Sequence, residues 1–139
     1  MDKRKLFFVF WLLGMLVPYE LLTDTIPFVK RAFDPIISSE LAHIIGHLIL
    51  FGGLTILGLY VFRLPLTRKT ALILAFSVLA VGLGQEYFQL QVKARAFGWP
   101  EVFDLSVDLL ATGLGWWAYR RVLCYSRYLR IAYYILREG

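Results

Sequence analysis

The chain has 139 residues, the length of one domain, yet 59% of them are hydrophobic, 17% aromatic and only 18% charged. With a mean hydropathy of +0.65, it carries more apolar surface than a water-soluble core of this size accommodates, so a lipid solvent is implied. The net charge of +5 does not imply nucleic acid: Lys and Arg flank apolar blocks, and no zinc-finger, helix-turn-helix or RNA-binding motif accompanies them.

A transmembrane helix takes about 20 mostly apolar residues. Four stretches meet that requirement, at about residues 6–22, 41–62, 70–90 and 102–119. The expected fold is therefore all-α: a polytopic membrane protein built as a four-transmembrane-helix bundle. The first stretch has the basic start and apolar run of a secretory signal, but no small-x-small cleavage site precedes Pro18 and Tyr19, so it reads as a retained helix.

Basic residues mark the cytoplasmic side of short loops. Lys3, Arg4 and Lys5 precede the first span, Arg63, Arg68 and Lys69 follow the second, and Arg120, Arg121, Arg127, Arg130 and Arg137 follow the fourth. In the other two loops, Lys30 and Arg31 are offset by Asp24, Asp34 and Glu40, and Lys93 and Arg95 by Glu101. The expected location is the inner (plasma) membrane, multi-pass, with both termini cytoplasmic. Residues 120–139 are too basic to span but carry Tyr125, Tyr128, Leu129, Ile131, Tyr133, Tyr134, Ile135 and Leu136, which predicts an amphipathic cytoplasmic helix. The loop 94–101, with Phe97, Gly98, Trp99 and Pro100, is expected to dip into the outer interface. The lone Cys124 permits no intrachain disulfide.

Ionisable residues inside a span are costly, by about 2.5–3.5 kcal/mol on insertion scales, and usually face a bundle interior or wet cavity. Here they are Glu20, His43, His47, Glu86, Asp104 and Asp108, joined by Gln85 and Gln89. The expected topology puts all of them in the outer half. His43 and His47, and Asp104 and Asp108, stand at i and i+4, and Glu86 and Gln89 at i and i+3, so each pair shares a helix face. Inward-pointing faces would form a polar pocket rimmed by Arg95, and His43, His47, Glu86, Gln89, Arg95, Asp104 and Asp108 are its expected ligand-binding residues. Histidines four apart on a helix also suit zinc, but Ile44, Ile45 and Gly46 lie between them rather than the Glu of a metallohydrolase helix. No metal or cofactor is assigned. The glycines of the last three spans read as close helix-packing positions.

The run GQEYFQLQVKARAFGWPEVFDLSVDLLATGLG, taken with HLILFGGL around His47, resembles the VanZ-like family of small membrane proteins. That pattern has an acidic residue with Gln three positions on, then Arg, then Asp with Asn or Asp four on, and a glycine in the last span. These fall on Glu86, Gln89, Arg95, Asp104, Asp108 and Gly115, and a family His followed by an aromatic and a Leu falls on His47, Phe51 and Leu54. The resemblance covers residues 42–115. The family often has Asp-Lys ahead of its His, where this chain has His43 and Ile44, and Ala111 stands where Gly is common.

The resemblance implies a cell-envelope connection, since the founding member is associated with teicoplanin (glycopeptide) resistance. It implies no reaction. The leading expectation is an envelope protein whose outward pocket binds a lipid-linked or amphiphilic ligand without covalent chemistry, with membrane lipids as partners and no nucleic acid. Two other readings stand beside it. One is an accessory subunit docking on other integral membrane proteins through Phe7, Phe8, Phe10, Trp11, Trp116 and Trp117; the other is an intramembrane hydrolase or transferase using Glu86, Asp104, Asp108 and His47.

Overall fold

The computed structural model describes residues 2–17, 28, 31 and 39–138, with side chains as far as 123 and at 125. Four helices and no strand occur among them: α1 (Lys3–Leu16), α2 (Glu40–Val61), α3 (Arg68–Lys93) and α4 (Trp99–Glu138). Local chemistry sets several of their ends. The Asp2 carboxylate accepts from the Arg4 N–H at the start of α1, and the Thr67 hydroxyl accepts from the Thr70 N–H at the start of α3, each satisfying a donor that the first turn leaves free. α2 and α3 both close on a left-handed residue that is not glycine, Arg63 (φ 50°) and Ala94 (φ 48°). Beyond these, the Leu64 N–H returns to Leu59 O (3.2 Å) and the Arg95 N–H to Leu90 O (3.2 Å), the long return bond of a Schellman terminus.

α4 packs most extensively against α2 and next against α3, and α1 rests against α2 and α3 on the opposite side. α2 and α3, although joined by a short connection, barely meet. The helices thus form a ring in the order α2, α4, α3, α1. The α2–α4 seam is the tightest: a Cβ on Gly115 would stand 2.6 Å from Gly52 O and 3.1 Å from Thr55 Cβ. On the other flank the Trp11 ring lies over Gly53, and its indole N–H donates to Leu50 O at 3.1 Å. Met15, Phe51, Leu54, Val78 and Ala111 make the core between the helices. Gly46 and Gly113, expected to be packing positions, have open space where a side chain would go.

Polar side chains share the interior with that apolar core, and large apolar side chains line the outer surface. His47, Thr55, Gln85, Glu86, Asp108 and Thr112 are buried, whereas Phe7, Phe10, Ile49, Leu72, Phe76, Leu110 and Trp117 are exposed. Two helices, α2 and α3, are long and apolar enough to cross a membrane, at about 33 and 39 Å for 22 and 26 residues. Only 39% and 28% of their most apolar windows are buried inside the bundle, the reverse of a soluble core helix. The other two expected spans do not reach that standard among the described residues. α1 has 14 residues and ends before Val17, residues 18–22 of the 6–22 stretch lying outside the described residues, and α4 carries Asp104 and Asp108 within its apolar run. α4 continues unbroken through residue 119 to Glu138; of the side chains expected to make its tail amphipathic, Tyr125 is exposed and the others lie outside the described set.

Candidate functional site

α2 begins, α3 ends and α4 begins at one end of the bundle. The opposite end carries basic residues: the Arg4 guanidinium sits 5.0 Å over the Tyr60 ring, which brings the start of α1 beside the end of α2, near Arg63, Arg68 and Lys69.

At the first end, i and i+4 spacing on two facing helices produces a matched ladder. His43 Nε2 stands 3.1 Å from Asp104 Oδ1, and His47 Nδ1 stands 2.7 Å from Asp108 Oδ1. Both pairs have the same sequence separation, because one turn along α2 matches one turn along α4. The upper rung is open, with the His43 side chain 39% exposed; the lower is closed, with His47 and Asp108 at 6% and 1%. The imidazoles lie 4.6 Å apart between centroids, and His47 stacks on Phe51 (5.7 Å, 22°), so the ring is held by the core below it.

α3 supplies the third wall. Glu86 and Gln85 are buried there, while Gln89 is half-buried and accepts from Lys93 Nζ at 3.4 Å. The absence of a side chain at Gly82 admits Asp108, whose Oδ2 would lie 2.7 Å from a Cβ at that position. Asp108 Oδ2 and Gln85 Oε1 are buried without a hydrogen-bond partner among the described residues. Such orphaned acceptors cost about 1–3 kcal/mol each unless something meets them.

The mouth is built by the α3–α4 connection. Residues 94–98 are non-helical, but Trp99, Pro100 and Glu101, expected in the loop, form the first turn of α4. Glu101, three residues after Gly98, accepts from the Gly98 N–H at 2.7 Å, half of a capping box, and its other oxygen accepts from Arg95. Burial opposes ionisation of Glu101. Hydrogen bonds from its own N–H and that of Gly98, with the charge of Arg95, outweigh that and hold the carboxyl below the ordinary glutamate range. Arg95, expected at the rim of the pocket, therefore has a resident carboxylate partner in Glu101, the acid that offsets it in the charge count of this loop. Glu101 was legible as a residue at the third helical position after a glycine.

These walls enclose a cavity of about 600 Å³, lined by His43, Glu86, Gln89, Lys93, Arg95, Trp99, Phe103 and Asp104 among others. Five of the seven expected site residues face it, and His47 and Asp108 lie one helical turn deeper. Glu20 lies outside the described residues. Comparison with family profiles, curated proteins and solved structures finds no match for the chain.

Proposed function

We propose that this is a multi-pass inner-membrane protein with four spans and cytoplasmic termini, whose cavity opens to the exterior and binds the headgroup of an amphiphilic or lipid-linked envelope molecule. The observation that carries this reading is the position of the cavity relative to the basic end. His43 and Arg63 are separated by about 30 Å of helix, Glu86 and Lys69 by about 25 Å, and Asp104 and Arg120 by about 24 Å. The hydrocarbon core of a bilayer is about 30 Å thick. With the basic end in the cytoplasm, the cavity falls at the outer edge of the hydrocarbon, where an amphiphile presents its headgroup while its chains lie along the exposed apolar faces of α2 and α3. The likeness of residues 42–115 to the VanZ-like pattern supports the same envelope assignment.

The lining favours a ligand rich in hydrogen-bond donors. Glu86, Gln89 and Asp104 offer acceptors to hydroxyls or an ammonium group, while Lys93 and the remaining N–H groups of Arg95 suit a phosphate at the mouth. Trp99, 85% exposed, and Phe103 offer apolar surface beside them.

The test is lipid mass spectrometry of the full chain purified from its own membranes, beside Glu86→Gln and Gln89→Ala. A retained amphiphile that both substitutions deplete is the expected result. Identical lipid profiles in all three preparations would overturn the reading, and a stoichiometric companion protein would replace it with the accessory-subunit role. Orientation is tested separately by thiol labelling of intact cells after Cys124→Ser. A cysteine replacing Lys93 should react with an impermeant reagent, and one replacing Arg63 should not.

A further inference from the structure

We infer that the ladder between α2 and α4 is a binding site for one divalent transition-metal ion of the zinc class, held by His43, His47 and Asp104, with Asp108 orienting His47. The inference does not depend on the amphiphile reading. It rests on three features of the geometry.

One ligand atom from each of His43, His47 and Asp104 lies within 4.8 Å of the other two. Donors around a tetrahedral ion at 2.0–2.2 Å stand about 3.3–3.5 Å apart. The His43 Nε2 to Asp104 Oδ1 edge, 3.1 Å, is already close to that, so rotation of side chains over at most about 1.5 Å completes the set. Without a metal a proton lies between His43 and Asp104; a cation takes that proton's place, bonded to both.

Asp108 provides the second feature. Its Oδ1 stands 2.7 Å from His47 Nδ1; an ionised carboxylate there takes the Nδ1–H tautomer, which leaves the free lone pair on Nε2. A carboxylate behind a histidine is the usual support of a metal-bound imidazole, fixing both tautomer and ring orientation. Phe51 beneath the ring fixes its tilt further.

The third feature is charge and access. Glu86, Asp104 and Asp108 bring three carboxyl groups to one end of the bundle, where the imidazoles of α2 meet Asp104 and Asp108. A divalent cation would offset that concentration of acid where lipid cannot. His43 and Asp104 face the cavity, so an ion has an entry path, and a fourth coordination position is open to water or a ligand group from outside. Two imidazoles and a carboxylate select zinc, cobalt or nickel over calcium and magnesium, which prefer all-oxygen sites.

The experiment is titration of chelator-stripped full-length protein in detergent with cobalt(II) and then zinc(II). The readouts are the ligand-field absorption of cobalt and bound metal per chain by elemental analysis. One ion per chain is expected, with the intense visible bands of a tetrahedral site, displaced by zinc. Asp104→Asn and His43→Ala, at the open rung, should retain the helical circular-dichroism signal and lose binding at least tenfold, and Asp108→Asn should weaken it about 10–100-fold. Absence of stoichiometric cobalt in the wild-type chain would overturn the site. So would binding unchanged in folded Asp104→Asn and His43→Ala protein. Neither result bears on lipid retention, which is read on Glu86 and Gln89.

Discussion

Two alanine substitutions, two residues apart on α4, separate the packing argument from helix propensity. Gly115→Ala and Gly113→Ala make the same chemical change in the same helix, and each should gain up to about 1 kcal/mol of intrinsic helix preference. Their surroundings differ: the new methyl at 113 meets nothing within 4 Å, while at 115 it stands 2.6 Å from Gly52 O and 3.2 Å from Gly52 Cα. Both obstacles are backbone, so no rotamer change relieves them; α2 and α4 must part by roughly half an ångström or more, with an overpacking cost of about 1–3 kcal/mol. Gly115→Ala should therefore be less stable than Gly113→Ala by about that amount, and the difference cancels the propensity term common to both. At about 2.1 cal/mol/K per residue, unfolding entropy for a chain of 139 residues converts 1–3 kcal/mol into a Tm gap of about 3–10 °C. Thermal unfolding in one detergent, at one scan rate and followed by helical ellipticity, measures the gap. Equal midpoints, or a lower midpoint for Gly113→Ala, would refute the close α2–α4 approach on which the ladder's geometry depends.

The two rungs differ in burial and so should differ in cost. His47→Ala strands Asp108 in the interior and should destabilise the bundle by about 3–5 kcal/mol, the penalty for leaving a buried charge without its partner, whereas His43→Ala, at the open rung, should cost about 1 kcal/mol; chemical denaturation of both variants checks the order. Trp11→Phe keeps an aromatic ring against Gly53 but removes the N–H bonded to Leu50 O, with an expected loss of about 1 kcal/mol in the same assay. Ala94→Gly relieves a left-handed residue carrying a Cβ and should raise stability by about 1 kcal/mol. Because Glu101 ionises more readily in the folded protein than in the unfolded chain, its contribution is complete above the ordinary glutamate range and is lost as pH falls through its lowered folded value. Protection of the Gly98 amide, its exchange rate relative to the intrinsic rate at each pH, should therefore fall only in that acidic window, and Glu101→Gln should abolish the dependence.

Much of the helical framework was legible because apolar runs of bilayer length have few other solutions. α2 and α3 begin and end within three residues of the stretches read from composition. The i, i+4 spacing identified His43 with His47 and Asp104 with Asp108 as same-face pairs, but a face has no partner until the register between helices is known. That register comes from the Gly52–Gly115 contact, which a single sequence shows only as glycines among others; Gly46 and Gly113 look the same and touch nothing. Pairing of Arg95 with Glu101 was obscured for a different reason. Both fall in a stretch that reads as a loop from composition, and the capping position of Glu101 depends on Trp99 and Pro100 being helical, against the usual reading of Pro as a breaker.

α2 and α3 follow one another in the chain yet scarcely touch, and α4 is the wedge between them. This has a consequence for the order of assembly during synthesis. A nascent chain that has emitted residues only as far as 98 already holds His43, His47, Gln85 and Glu86, on two helices that meet chiefly through α1. Asp104 and Asp108 arrive together, on the element that closes the ring, so the polar site is complete only once the last helix is seated against α2 and α3.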